Sequence, residues 1–435
     1  MRQPAHGGNL AWAAALAGCP PSAILDFSAS ISPLGPPNSA LAAIESQLGN
    51  LRHYPDPDYG ELRASLSHFH QLPPEWILPG NGSAELLSLA GRELAQLAAT
   101  ALITPAFGDY YRALAAYHAE VLEFPLSFGT NAQESFVIRN LSVIHDKGPL
   151  RVPPSQRLRQ RQFPTAGDPP TGLVSQTTVT GISSPEAAPT PVPYGGKPPD
   201  ALEAGFANRT GLTNDKGLLL NNPHNPTGKL FLREAILPYL KEFALVVVDE
   251  AFMDFLSPEQ EQSLIEVVQE YPNLVILRSL TKFYSLPGLR LGYAIAHPDR
   301  LRRWQLWRDP WPVNTLAAAA AVAALKDKEF QEQTWAWLPP ARDQLFQGLA
   351  SLSGLQPLQS AANFLLVESQ QSSSQLQQKL LKHHQILIRD CLSFSELGDR
   401  YFRVAVRSGL DNQCLLEALS LVISDESLVI KKKDN

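Results

Sequence analysis

Asn273-Leu-Val-Ile-Leu-Arg278-Ser279-Leu-Thr-Lys282-Phe-Tyr-Ser-Leu-Pro-Gly288-Leu-Arg290-Leu-Gly-Tyr293 decides how this chain is read. An apolar run of strand character carries the backbone inward and stops at Ser279. Lys282 follows three residues later, then a Pro-Gly turn and Arg290. Lysine is seldom taken out of water without a purpose. Burial pushes its amine toward the neutral, nucleophilic form, the form that attacks a carbonyl. Taken alone, Lys282 reads more simply as a surface lysine just past a strand. The rest of the chain changes that reading.

The chain is 435 residues long and 47.6 kDa, enough for a large core and two domains. Mean hydropathy is -0.12 and net charge is -6, with no dense basic patch interleaved with aromatics. That pattern argues against a nucleic-acid partner. Cys19, Cys391 and Cys414 show neither metal-ligand spacing nor an even disulfide framework, which suits a reducing, cytoplasmic setting. No apolar run approaches the roughly 20 residues of a membrane helix. Leu10-Ala-Trp-Ala-Ala-Ala-Leu-Ala-Gly-Cys19 has the look of a short export signal, but its flank carries Arg2 alone. We read it as the first helix of a soluble domain.

Outward from the lysine, the chain from about 75 to 300 alternates short apolar strands with helical stretches. This is the mark of a parallel sheet wrapped by helices. Strands are expected at Ala101–Ile103, Leu218–Leu220, Leu245–Val248, Leu274–Leu277 and Gly292–Ala296, and helices over 38–49 and 60–70. Later strands are expected near Asn363–Val367, Ile386–Ile388 and Tyr401–Val406, with a closing helix over about 411–423. The expected organisation is an N-terminal arm (1–45), a large α/β domain (46–300) and a smaller α+β domain (301–435). The segment 138–215 is rich in Pro, Ser, Thr, Gln and Gly and lacks hydrophobic period. It reads as a disordered insertion.

Five features accompany Lys282. The apolar run Leu245-Val-Val-Val-Asp249 ends in a carboxylate at the ligand-bearing edge of a parallel sheet. Gly80-Asn-Gly82-Ser83-Ala84-Glu85 opens a helix, whose free N–H groups can hold a phosphate. Asn221-Asn-Pro-His-Asn225-Pro-Thr-Gly228 follows a strand with tight-turn chemistry and can present the amide of Asn225. Thr104-Pro-Ala-Phe107-Gly-Asp-Tyr110 offers Phe107 as a stacking face. Ser279 and Arg290 flank the lysine and can complete an anion site. Each has a plainer reading alone: a capping aspartate, a capped helix, a loop, a core aromatic, a surface salt bridge. Together they suit an aromatic aldehyde phosphate.

These strings resemble the fold-type I pyridoxal phosphate enzymes, over nearly the whole chain apart from the insertion. Within them the chain is similar to the histidinol-phosphate aminotransferase-like group, and most like its threonine-phosphate decarboxylase branch. The discriminating strings are His6-Gly-Gly-Asn9, Asp26-Phe-Ser-Ala, Asp249-Glu-Ala-Phe-Met-Asp254, Arg278-Ser-Leu-Thr-Lys-Phe-Tyr and Ile388-Arg389-Asp-Cys391. The resemblance implies the following roles. Lys282 is the catalytic lysine that bonds the cofactor carbonyl and moves protons. Asp249 holds the ring nitrogen, Asn225 meets the ring oxygen and Phe107 stacks on the ring. Gly82, Ser83, Ala84, Ser279 and Arg290 line the cofactor phosphate site, and Tyr54 reaches the neighbouring subunit's cofactor, so a homodimer is implied. His6, Ser30, Arg389 and Arg403 meet a small phosphorylated amino acid, with Arg407 a weaker substitute for Arg403. No metal is implied.

Ser30 and Ser32 depart from the pattern, where the group has asparagines. The implied reaction is decarboxylation of L-threonine O-3-phosphate for the cobalamin nucleotide-loop linker. A histidinol-phosphate or related aminotransferase is the alternative. A non-catalytic binding module of the same fold is weaker, because such regulators carry a DNA-binding domain for which the residues before His6 leave no room.

Overall fold

The computed structural model describes residues 7–126 and 215–431, with side chains described to residue 424. The expected insertion at 138–215 therefore lies outside the described residues, Asp215 apart, and so does His6.

Thirteen strands lie among the described residues. In chain order they are β1 (Leu25–Asp26), β2 (Ile77–Asn81), β3 (Ala99–Thr104), β4 (Val121–Pro125), β5 (Lys216–Asn221), β6 (Leu245–Asp249), β7 (Leu274–Ser279), β8 (Leu291–Ala296), β9 (Leu355–Pro357), β10 (Phe364–Ser369), β11 (Ile386–Leu387), β12 (Arg389–Asp390) and β13 (Tyr401–Ala405).

Seven of them form one sheet in the order β2-β8-β7-β6-β5-β3-β4. β8 runs antiparallel to β2 and β7, and the remaining pairings are parallel. The expected large, mostly parallel sheet is thus present. Its middle strands are unbroken apolar runs because both faces are covered: Val246, Val247 and Val248 are all fully buried. The helices Gly82–Leu94, Gly108–Ala115 and Pro298–Leu306 supply one layer of that cover. Leu86, Leu94, Tyr110, Leu114 and Trp304 pack there against Leu102, Val247, Val275 and Ala294.

The second sheet is antiparallel, β12-β13-β10-β9. The 24-residue helix Lys328–Ser351 and the closing helix Gly409–Lys431 accompany it. The closing helix is longer than the 411–423 expected. The helix expected over 38–49 ends at Gln47 and tightens into a 3-10 turn, Leu48–Arg52.

Two features of register matter for function. In the large sheet Asn221 lies opposite Asp249, and Asp249 opposite Leu277, so β5, β6 and β7 end together at one edge. In the small sheet Arg389 lies directly opposite Arg403, on the same face. The N-terminal segment ties these places together. β1 pairs with β11, Ala405 N donates to Phe27 O (2.8 Å), and Ser32 N donates to Lys282 O (3.0 Å).

Candidate active site

A cavity of about 320 Å³ opens at the shared edge of β5, β6 and β7. Its wall includes Ser30, Ser83, Ala84, Phe107, Asn225, Asp249, Ser279, Lys282, Arg290, Arg389 and Arg403. These residues come from eight separate places in the chain, and sequence reasoning had named each of them. Gly82 stands just behind the wall. Tyr54 does not reach this cavity; it is 80% exposed and stacks on Trp311 with ring centroids 4.6 Å apart.

Lys282 sits on the short helix Leu280–Phe283, which begins where β7 ends. The Ser279 hydroxyl caps this turn by accepting from Thr281 N, and it accepts from Lys282 Nζ at 3.3 Å. Nζ also lies 5.2 Å from the centre of the Phe252 ring. Burial lowers the pKa of Lys282; Asp249 opposes that shift, while Arg290 and Arg403 reinforce it. The amine is therefore held closer to its neutral form than a surface lysine.

Asp249 ends β6. Its Oδ1 accepts from Ala251 N at 3.0 Å and its Oδ2 from the Tyr110 hydroxyl at 2.9 Å. Burial raises its pKa, and Lys282 opposes the rise. Each carboxylate oxygen thus has a fixed donor at a spot where an unpaired charge would be costly. Tyr110 was missed in the sequence. It lies 139 residues from Asp249, and a tyrosine three residues after a candidate stacking residue carries no signal of its own.

Gly82 begins the helix Gly82–Leu94 with φ of 73°, a left-handed conformation suited to glycine. A Cβ there would lie 2.6 Å from Arg290 Nη2. The absent side chain lets that guanidinium close over the first turn of the helix. Ser83 and Ala84 follow in this turn, where backbone N–H groups are free of helical partners. Arg290 is otherwise exposed and donates to Pro287 O at 3.4 Å.

At the other end of the cavity stand Arg389 and Arg403. Arg403 Nη1 donates to Asn225 Oδ1 at 2.5 Å, and its guanidinium packs 4.8 Å from the centre of the Phe364 ring. Burial pushes its pKa down to about 10. With Oδ1 engaged, the Asn225 amide nitrogen is left as the donor for the cavity. Arg389 Nη2 donates to Ser393 Oγ at 2.7 Å. Like charges directly across an antiparallel pair repel, and an anion between them would remove that repulsion. Ser30 is 6% exposed, and its Oγ has no hydrogen-bond partner among the described residues. Arg407 faces elsewhere: Nε donates to Asp411 Oδ2 (3.0 Å) and Nη1 to Asp26 O (3.2 Å).

The arrangement offers a depressed amine, a fixed carboxylate, a helix start closed by one arginine, and a second anion site made by two arginines. It suits a small molecule with two anionic groups.

The family of aminotransferases of class I and II matches residues 199–422. Threonine-phosphate decarboxylase of Salmonella typhimurium is 34% identical over 429 residues, 97% of each chain. An adenosylcobalamin biosynthesis bifunctional protein of Leptospira interrogans is 27% identical, over 97% of this chain and 41% of that one. Histidinol-phosphate aminotransferase from Sinorhizobium meliloti, solved in complex with pyridoxal-5'-phosphate, superposes with a TM-score of 0.68. That likeness, at 21% identity over 96% of this chain and 95% of that one, is one of fold.

Proposed function

Because this chain belongs to the aminotransferase class I and II family, and matches a threonine-phosphate decarboxylase along nearly its whole length, we propose that it removes the carboxyl group of L-threonine O-3-phosphate. The product is (R)-1-amino-2-propanol O-2-phosphate, and the setting is cobalamin synthesis.

The family's cofactor is pyridoxal 5'-phosphate, and the residues present fit it. Asp249 supplies an anion for the protonated ring nitrogen, and Asn225 a donor for the ring oxygen. Phe107 supplies an aromatic face. The start of the helix Gly82–Leu94, with Ser83, Ala84, Ser279 and Arg290, would hold the phosphate, and the missing Cβ of Gly82 makes room for Arg290. Bound there, the cofactor supplies an electron sink for the bond broken at the substrate α-carbon.

The chain's own residues do the rest. Lys282 would hold the cofactor at its carbonyl, and the lowered pKa of the lysine keeps its amine able to accept a proton. Arg389 and Arg403 would take the substrate phosphate and carboxylate, with Ser30 donating its free hydroxyl. Once carbon dioxide leaves, Lys282 returns a proton to the α-carbon, so that one carboxylate is lost and one C–H bond is made. In an aminotransferase the same lysine would instead take the proton from that carbon. The chain acts in the cytoplasm, and as a homodimer in which Tyr54 reaches the partner subunit's cofactor phosphate; no described helix is long and apolar enough to cross a membrane.

The pairing of Arg389 with Arg403 in the same cavity as Lys282 carries this reading. The test is to supply purified protein and pyridoxal phosphate with L-threonine O-3-phosphate. Carbon dioxide should appear without any keto acid. Amino transfer to 2-oxoglutarate without carbon dioxide would replace the decarboxylase with an aminotransferase.

A further inference from the structure

We infer that Tyr110 is the positioning residue of the cofactor site: through one buried hydrogen bond it aims Asp249 and favours its charged form, and through its ring it braces Phe107. The inference rests on the pyridoxal phosphate reading above.

Tyr110 is 2% exposed, and its hydroxyl donates to Asp249 Oδ2 at 2.9 Å. Its ring meets that of Phe107 edge-to-face, with centroids 5.8 Å apart. Tyr110 N donates to Phe107 O at 2.9 Å, so both side chains are set by one helix start. The helix Gly108–Ala115 therefore couples the face that would stack on the ring to the carboxylate that would pair with the ring nitrogen. Neither contact needs Tyr110 to touch the cofactor. The tyrosine acts as a donor, since burial pushes its own pKa well up and Asp249 reinforces the shift. A neutral hydroxyl that donates to a carboxylate favours the ionised form of that carboxylate. The other charged groups near this pair are Lys282, facing Asp249; Asp109, on the same helix as Tyr110; and Arg290 and Arg403, which face Lys282.

Tyr110→Phe keeps the ring, and with it the brace on Phe107, and removes the donor. Pyridoxal phosphate affinity is to be measured by absorbance and fluorescence titration from pH 5 to 9, alongside the melting temperature of the cofactor-free protein. Wild type, Y110F, D249N and the double variant are compared. Losing one hydrogen bond to a charged group should weaken binding in Y110F about tenfold near pH 6. The acid limb of the affinity profile should move up by roughly one pH unit, because Asp249 loses a group that stabilises its charge. In the D249N background, adding Y110F should change affinity less than about twofold, because the two residues act as one unit. Equal weakening at every pH, or additive losses in the double variant, would make Tyr110 a packing residue and overturn the inference. So would an unchanged profile in Y110F. If wild type itself binds no pyridoxal phosphate, the cofactor reading falls; if wild type binds and Y110F is unaltered, that reading stands and the positioning role falls.

Discussion

Lys282 and Asp249 depend on each other's charge, and each is shifted by burial in the direction that the other resists. Lys282→Ala removes the amine but leaves Asp249, Arg290 and Arg403 in place. It should abolish the lysine-dependent cofactor absorbance and lower carbon dioxide release by about 10³-fold, the scale of a lost acid-base group. Turnover retained in this variant would sink the mechanism. Arg389→Ala leaves Arg403 alone at the anion site. It should raise KM for the phosphorylated substrate by about tenfold to a hundredfold, and lysine should not restore it, because an ammonium lacks the guanidinium fork. Steady-state kinetics with both variants checks this. A third prediction concerns a group beside the site. The buried Arg278 guanidinium donates to Glu250 (3.0 Å), Asp254 (2.5 Å) and Glu261 (2.5 Å). Three carboxylates meet one cation, and Asp254 Oδ2 is buried without a hydrogen-bond partner among the described residues. Burial raises the Asp254 carboxyl from 3.8 to about 6 against the pull of Arg278. The native state therefore binds this proton more tightly than the unfolded chain. Its contribution to stability is complete below pH 3.8 and is lost as pH rises through about 6. Asp254→Asn cannot titrate. Between pH 4 and 7 the stability of wild type relative to the variant should fall by about 2 kcal/mol, measured by denaturant unfolding at both pH values. Parallel pH profiles would refute it.

At the scale of elements, close approach of backbones fixes the site. β8 passes the start of the helix Gly82–Leu94 at Gly292, where a Cβ would lie 2.6 Å from Ser83 N and 2.7 Å from Arg278 O. Both are backbone atoms and cannot swing aside. Gly292→Ala should therefore push the helix start away from β7, with about 1–3 kcal/mol of overpacking cost and weaker cofactor affinity than its loss of melting temperature alone would give. A variant that melts and binds like wild type would show that the strands can separate freely. The elements that carry this geometry were legible for a physical reason: β5, β6 and β7 are buried on both faces, so they write themselves as unbroken apolar runs ending in Asn221, Asp249 and Ser279. Within the seven-stranded sheet, the strands left unread, β2 and β4, are its two edges. β2 contains Pro79, which suits an edge, and the half-exposed β4 carries Glu123, so neither shows the apolar run. Asp249, Ser279 and Gly82 were legible because each sits at the end of a strand or the start of a helix. The contacts between site residues were not. Tyr110 with Asp249, and Arg389 with Arg403, are products of sheet order and register, which local pattern does not encode.

At the scale of the whole molecule, one surface is left unexplained by the monomer. Leu48 and Leu51 on the turn Leu48–Arg52, Tyr54 just beyond it, and Trp311 are large apolar side chains exposed by 51%, 58%, 80% and 41%. Tyr54 and Trp311 are already stacked on each other, so this part of the surface is ordered before any partner arrives. Exposed apolar patches of this kind mark interaction sites in soluble proteins. The proposed homodimer would cover the patch and deliver Tyr54 to the partner subunit's cofactor phosphate. Light scattering of the purified protein should then give twice 47.6 kDa. Tyr54→Ala removes an aromatic of the kind that anchors interfaces. It should weaken self-association and lower cofactor affinity together, although Tyr54 stands outside the cavity of its own chain. Tyr54→Phe separates the two effects: the ring remains to hold the dimer, while the hydroxyl that would meet the phosphate is gone. Full cofactor affinity in a monomeric Tyr54→Ala protein would show that each cavity is complete by itself, and the dimer would then have no part in the chemistry.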